Sequence, residues 1–174
     1  MSVTAYYANW ARYNELLTGH VRGLGAGDLA LAAPAGDHWP IWAIVGHTAG
    51  ARTFWLCQVL GEPGAETTPF SDPSGMGWED DLGTPRSAGE LAGALASTYA
   101  IVAASLERWT PAMLDEAMPR TTARGVAYHT RQSILLRMIT HEGYHAGEIA
   151  LIEGMHGRPQ LDLWPPGAHT VPRG

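Results

Sequence analysis

Apolar residues recur along this chain at helical spacing, in four blocks separated by stretches rich in glycine and proline. In the first block Tyr6, Trp10, Tyr13 and Leu17 are spaced 4-3-4, the seam of an amphipathic helix, which predicts a helix over about 3–22 that stops at Gly23 and Gly25. The second opens near Trp39-Pro40, where a first-turn proline costs no hydrogen bond, and carries Ile41, Trp42, Ile44, Val45, His47, Ala51, Phe54 and Trp55 over 39–60. Ser87-Ala88-Gly89-Glu90 has the form of a capping box and introduces a third helix over 87–109, striped by Leu91, Leu95, Thr98, Val102, Leu106 and Trp109. The fourth starts after Thr130, a suitable N-cap, and runs to about Glu153, with Gly154 as its expected stop, giving 130–153. Four long helices with one apolar seam each predict an all-α, antiparallel four-helix bundle occupying 1–174 as a single domain.

Two connections qualify that picture. Residues 61–86 are a long Gly-, Pro-, Ser- and Asp-rich crossover between the second and third helices, and loops of this length are often functional. Phe70, Met76 and Trp78 are its apolar anchors, either as a strap around the bundle or as a pocket wall. In the 110–129 connection, Arg120-Thr121-Thr122-Ala123-Arg124-Gly125 suits a small turn or hairpin. The segment after the fourth helix, through Leu161-Asp162-Leu163-Trp164-Pro165-Pro166, reads as an extended tail lying over the bundle.

Composition narrows the chemistry. All eleven basic residues are arginine, so Schiff-base and P-loop lysine chemistry are excluded. The arginines are scattered and the net charge is −6, which argues against a nucleic-acid partner. No apolar run approaches the roughly 20 residues of a membrane span, and no basic segment followed by an apolar one opens the chain, so the expectation is a cytoplasmic protein off the membrane. Cys57 stands alone among apolar neighbours, which reads as an inert thiol and excludes a disulfide or a cysteine-based zinc knot.

The chemistry is concentrated in His141-Glu142-Gly143-Tyr144-His145. Histidines four apart lie on one helix face, one turn above each other, and can reach a single ion. Both belong to a seam with Ile134, Met138 and Ile152, and burying two imidazoles costs free energy unless each finds partners. The run fits the H-E-x-x-H pattern of zinc peptidases, in which the glutamate is the general base. The sequence does not supply the rest of that site: Ala146-Gly147-Glu148 is at the wrong offset for a third histidine, and only Asp162 remains as a remote carboxylate. A third ligand is available upstream in His47, a mid-helix histidine in the apolar stretch Ile44-Val45-Gly46. Three imidazoles on a bundle wall leave positions open for water or substrate. His20, His38, His129, His156 and His169 fall at helix ends or in loops, and His129 is the best of them as a pocket residue.

The stretch Trp39-Pro40-Ile41-Trp42-Ala43-Ile44-Val45-Gly46-His47, followed by His141-Glu142-Gly143-Tyr144-His145-Ala146-Gly147-Glu148-Ile149, resembles the DinB/YfiT-like superfamily of metal-binding four-helix bundles. Helix order and the closing Gly157-Arg158-Pro159 and Leu161-Asp162-Leu163 extend the likeness over nearly the whole chain. The resemblance implies a divalent metal on His47, His141 and His145, with zinc or nickel first and iron next. Many members carry glutamine where this chain has Glu148, a departure that adds a carboxylate able to orient a ligand histidine or to coordinate.

Relatives in that superfamily include thiol S-transferases that use bacillithiol or mycothiol, a mycothiol-dependent maleylpyruvate isomerase, and proteins read as hydrolases. The expected function is accordingly a metal-dependent enzyme that activates a small thiol or water at an open three-histidine site. Glu142 and Glu148 are its candidate catalytic groups, although Glu142 is about 100° around the helix from His141. Arg52 and Arg137, each one turn from a ligand histidine, are candidates to pair with a carboxylate on a low-molecular-weight thiol cofactor. The alternatives are a non-catalytic, structural or stress-associated metal-holding dimer and an HExxH zinc peptidase. A fourth protein ligand would favour the structural reading and three ligands the enzyme. A homodimer and a small-molecule substrate complete the expectation, with the large aromatics of the first helix as one candidate interface.

Overall fold

A computed structural model describes residues 2–72 and 78–167, so Met76 and His169 lie outside the described residues. After a 3₁₀ turn at Thr4–Tyr7, helix α1 spans Ala8–Gly23 and a one-turn α2 spans Ala26–Leu29. Helix α3 (Ile41–Thr53) runs on directly into a π-helical turn at Phe54–Val59. Helix α4 covers Ala88–Arg108 and α5 covers Arg131–Met155. Between them lies a hairpin, β1 (Met118–Thr122) and β2 (Gly125–His129), paired antiparallel from Met118↔His129 to Thr122↔Gly125. The described residues are therefore mostly helical, and the hairpin falls where Arg120–Gly125 suggested a turn.

The capping residues act as their types dictate. Ser87 accepts from the Glu90 amide while the Glu90 carboxylate accepts from the Ser87 amide, the reciprocal box that opens α4. Thr130 and Ser133 open α5 in the same way. The expected stop at Gly154 is displaced. The helix continues through Met155, and the left-handed residue is Gly157, with φ +64°. Arg158 N–H bonds Glu153 O and Gly157 N–H bonds Gly154 O, the paired closure that a glycine at this position permits. Pro40 likewise sits just outside its helix, as the N-cap rather than within the first turn.

Helix α4 packs against both α1 and α3, and α3 packs against α5. Two apolar clusters fill the interior. One gathers Leu17, Ala49, Leu95 and Ala146, and the other gathers Trp10, Leu56, Ile101 and Met138. Each long helix, α3 taken with the π turn that continues it, contributes to both clusters, and between its two contributions each places a polar residue: Asn14, Arg52, Thr98 and Glu142. The order in which the clusters are met gives the helix directions. Helices α3 and α4 run one way, and α1 and α5 run the other. Residues 61–86 lie between the π-helical turn and α4.

That segment is anchored. Phe70 is fully buried, and Trp78 stacks on it with centroids 5.4 Å apart. The surface receiving it is made by two glycines of α3. A Cβ on Gly46 would sit 3.6 Å from the Trp78 carbonyl, and one on Gly50 would lie 2.7 Å from Glu79 Cβ and 2.8 Å from Phe70 Cε1. Helix α4 alone among the described residues is long and apolar enough to cross a membrane, and half of its most apolar window is buried inside the protein. The extended tail closes the fold, with Leu161 buried and its N–H donated to Glu153 at 2.7 Å.

Candidate metal centre

Helices α3 and α5 bring His47, His141 and His145 together. His141 Nε2 is 2.9 Å from His47 Nε2 and 3.2 Å from His145 Nε2. The three ligand atoms lie within 4.8 Å of one another, each on a half-buried residue. Two nitrogens bound at about 2.1 Å to one ion are about 3.0–3.4 Å apart, so the cluster has the spacing of a coordination face. The i, i+4 pair delivers two nitrogens from one rigid helix, and packing of α3 on α5 delivers the third.

The opposite edges of the rings are held by carboxylates. His145 Nδ1 is 2.8 Å from Glu148 Oε2, and His47 Nδ1 is 2.9 Å from Asp80 Oδ1 and 3.6 Å from Glu79 Oε1. A carboxylate accepts from an N–H, so each contact fixes the proton on Nδ1 and turns the Nε2 lone pair toward the cluster. The lone pairs of His47 and His145 then face the His141 Nε2 together. That donor set suits a divalent cation, which is the test of whether these residues fit the metal that the resemblance implies. Burial, then the neighbouring His145 and His47, then Arg137, push the His141 pKa down to about 4. Burial also lowers that of His145 against the opposing pull of Glu148. Both shifts favour the neutral imidazole, the state in which histidine ligates.

A cavity of about 240 Å³ opens on one side of the cluster, lined by Asp37, His38, Trp39, Ile44, His47, Tyr144, His145 and Glu148. The Trp39 ring meets His47 edge-on with centroids 5.3 Å apart, and Tyr144 meets His145 at 5.1 Å. Of the remaining histidines among the described residues, only His38 reaches this cavity. His129 packs against Trp55 at 5.4 Å, His20 bonds Glu153 at 2.6 Å, and His156 reaches the Ala32 carbonyl at 2.9 Å.

The other candidate residues go elsewhere. Glu142 turns away from the histidines and is buried with Arg52, which donates through Nε to Oε1 at 2.8 Å and through Nη2 to Oε2 at 3.0 Å. Trp10 Nε1 also donates to Glu142 Oε2 at 2.8 Å. The Nη1 of Arg52 reaches Asn14 Oδ1 at 2.9 Å and the Leu95 carbonyl at 2.8 Å, so this guanidinium is committed inside the core and does not line the cavity. Arg137 stacks over Trp55 at 4.6 Å on the far side of His141. Cys57 is half-buried, and burial pushes its thiol up to about 11, in keeping with an inert residue.

Sequence reading missed Glu79 and Asp80. They follow the anchor Trp78, and the Gly46…Gly50 pair flanking His47 was the available signal that another segment would dock there. Glu79 is buried, and its Oε2 lacks a hydrogen-bond partner. Burial first and the Asp80 charge second push its pKa up to about 8.

A model of the DinB superfamily matches residues 5–149. The chain belongs to the DinB superfamily. The solved structure of a DinB-like protein from Bacillus cereus ATCC 10987 superimposes with a TM-score of 0.71, covering 94% of this chain and 98% of that one at 16% identity. At that identity the likeness shows the DinB fold alone. No curated protein matches the chain. The match to the superfamily takes in His47, His141, His145 and Glu148, so the whole cluster and its cavity lie within the DinB unit.

Proposed function

We propose that this DinB-superfamily protein is a metal-dependent enzyme holding one divalent ion on His47, His141 and His145. The observation that carries this reading is the division of labour among donors. Three Nε2 atoms converge beside an open cavity, while Glu148 and Asp80 are engaged by Nδ1 atoms on the outer edges of two rings. Three ligands and a free approach suit catalysis, and a fourth ligand would suit a structural site. When bound, the ion supplies Lewis acidity that favours deprotonation of a small thiol or a water.

The side chains have distinct roles in this reading. Glu148 and Asp80 orient their histidines and keep the protons on Nδ1. Trp39 and Tyr144 wall the cavity and position a small-molecule substrate against the cluster. Arg52 and Glu142 hold the helices in register from the core, and this reading gives neither of them a role in the reaction or in binding a cofactor. Zinc or nickel is the first choice of ion, with iron next, because imidazoles accept all three. The same reading takes the architecture as a four-helix bundle, two helices each way, with residues 61–86 as its crossover and a cytoplasmic setting.

The test is metal analysis of tag-free protein, followed by cobalt loading and visible absorption. One equivalent of metal is expected, with loss of stoichiometric binding in His141→Ala while circular dichroism stays helical. Full occupancy in that variant refutes the ligand set. Activity follows on the loaded protein, with low-molecular-weight thiols and a model electrophile in one series and activated esters in another. Turnover that disappears in His145→Ala separates enzyme from metal store, and the substrate that turns over separates transferase from hydrolase.

A further inference from the structure

His47 has chemistry on both edges of its ring. Its Nε2 faces His141, and its Nδ1 faces two carboxylates, with Asp80 Oδ1 at 2.9 Å and Glu79 Oε1 at 3.6 Å. His47, Glu79 and Asp80 each offer a ligand atom, and these atoms lie within 4.8 Å of one another, as do those of the three histidines. Donors bound at about 2.1 Å to one ion stand about 3.0–3.4 Å apart, and the two Nδ1 contacts bracket that spacing.

Orienting His47 accounts for Asp80 and leaves Glu79 unexplained. Glu79 is 7% exposed, its Oε2 has no hydrogen-bond partner, and its Oε1 stands beyond hydrogen-bond reach of Nδ1. A carboxylate taken out of water without a partner costs free energy, and two carboxylates facing one ring edge repel each other. Neither pairs with an arginine among the described residues. Arg86, the nearest along the chain, is held by Asp81 at 3.0 Å. The stem of Glu79 is seated on α3, where a Cβ on Gly50 would lie 2.7 Å from Glu79 Cβ and 2.8 Å from its Cγ. The fold thus holds a buried acid beside a second acid and a ring nitrogen, and the partner that satisfies all three is a cation.

We propose that Glu79, Asp80 and the Nδ1 of His47 form a second divalent-cation site, with the His47 ring bridging it to the three-histidine site. The second ion takes the Nδ1 lone pair as the N–H proton leaves to solvent, and His47 becomes an imidazolate shared by two cations. No electron is transferred. Displacing a ring proton takes a strongly polarising ion that accepts nitrogen as well as oxygen, which selects zinc or copper(II) over magnesium or calcium. The bridge rests on the three-histidine reading, whereas the Glu79 and Asp80 group stands without it. The three-histidine ion is the first and tighter equivalent, and the second enters from excess metal. Glu79 and Asp80 belong to the long connection and His47 to α3, so the second ion clips the connection to the helix.

The experiment is calorimetric titration of the metal-free full chain with zinc, with bound ion counted after equilibrium dialysis. Two equivalents are expected, the second at least tenfold weaker than the first and releasing at least one proton, read from the dependence of the heat on the buffer. Glu79→Gln should lose the second equivalent and keep the first. His141→Ala should keep only the weaker, Glu79-dependent one. With copper(II) at both sites the shared ring couples the two unpaired spins, so the electron paramagnetic resonance of the one-copper form should fade as the second ion enters. Proton release and the copper spectrum are read on wild-type protein, so the test does not depend on the variants folding. A single equivalent in wild type, lost in His141→Ala, overturns the proposal and leaves the three-histidine reading standing. A second equivalent that survives Glu79→Gln overturns the proposal as well. A single equivalent lost in Glu79→Gln and kept in His141→Ala supports this site and overturns the three-histidine one. An undiminished two-copper spectrum overturns the bridge.

Discussion

In the proposed metal site, two of the three histidines are held by side chains that stand outside the cluster. Glu148 reaches back one turn to His145, and Asp80 arrives from a different segment to hold His47. Carboxylates that fix the tautomer of a ligand histidine typically contribute 10–100-fold to metal affinity. Asp80→Asn and Glu148→Gln are each expected to weaken binding by about that factor, read by competition against a chelator of known affinity, with stoichiometry retained. Unchanged affinity would show that neither carboxylate orients its histidine toward the ion. The two residues also differ in legibility. Glu148 was readable because it lies three positions from His145 on the same helix. Asp80 was not, because its partner is 33 residues away and no local periodicity links a loop to a helix.

At the scale of elements, the stretch around Phe70 and Glu79 is held where α3 has no side chains. Gly50 leaves room for Glu79 and Phe70, and a methyl group there would enter space that both occupy. Gly50→Ala is therefore expected to destabilise the protein by about 1–3 kcal/mol, as overpacking does, and to weaken metal binding by displacing Asp80. Gly19→Ala on α1, where nothing lies within 4 Å, is expected to stabilise by about 0.5–1 kcal/mol. Urea denaturation of the two variants checks both signs. The helices were largely legible because capping and periodicity are local, as Ser87…Glu90 and Thr130 show. The end of α5 was misplaced because two glycines, Gly154 and Gly157, were available as stops. Gly154 instead packs against Gln160 of the tail, where a Cβ would collide with it.

Across the whole molecule, a polar layer divides the core. Asn14, Arg52, Thr98 and Glu142, one from each long helix, meet between two apolar clusters. An apolar seam slides easily by a turn, whereas a layer with fixed hydrogen-bond partners admits one alignment, and that alignment sets His47 level with His141. Removing either member of the Arg52–Glu142 pair leaves the other charge unpaired in a buried position. Glu142→Ala is expected to cost about 3–5 kcal/mol, while Arg52→Met with Glu142→Leu together should recover most of that stability. Calorimetry of the single and double variants gives the comparison, and a double variant as unstable as the single one would contradict it. The sequence hid this layer because Arg52 and Glu142 stand 90 residues apart. A lone arginine or glutamate within a helix reads as solvent-facing until its partner is placed.

The π-helical turn at Phe54–Val59 gives the protein a local tolerance for changes in chain length. A π turn holds one residue more than an α turn, so removing one residue there lets the helix close into ordinary i→i+4 bonding. Deleting the exposed Gln58 should therefore leave a folded protein, with the altered phase absorbed by the loop that begins at Gly61. Deleting Ala49, inside regular helix and fully buried, would rotate everything beyond it by about 100° and pull Arg52 off Glu142. Comparing soluble expression of the two deletions would show whether the wide turn acts as a splice joint, the place where a family of helical proteins gains or loses a residue without losing its core.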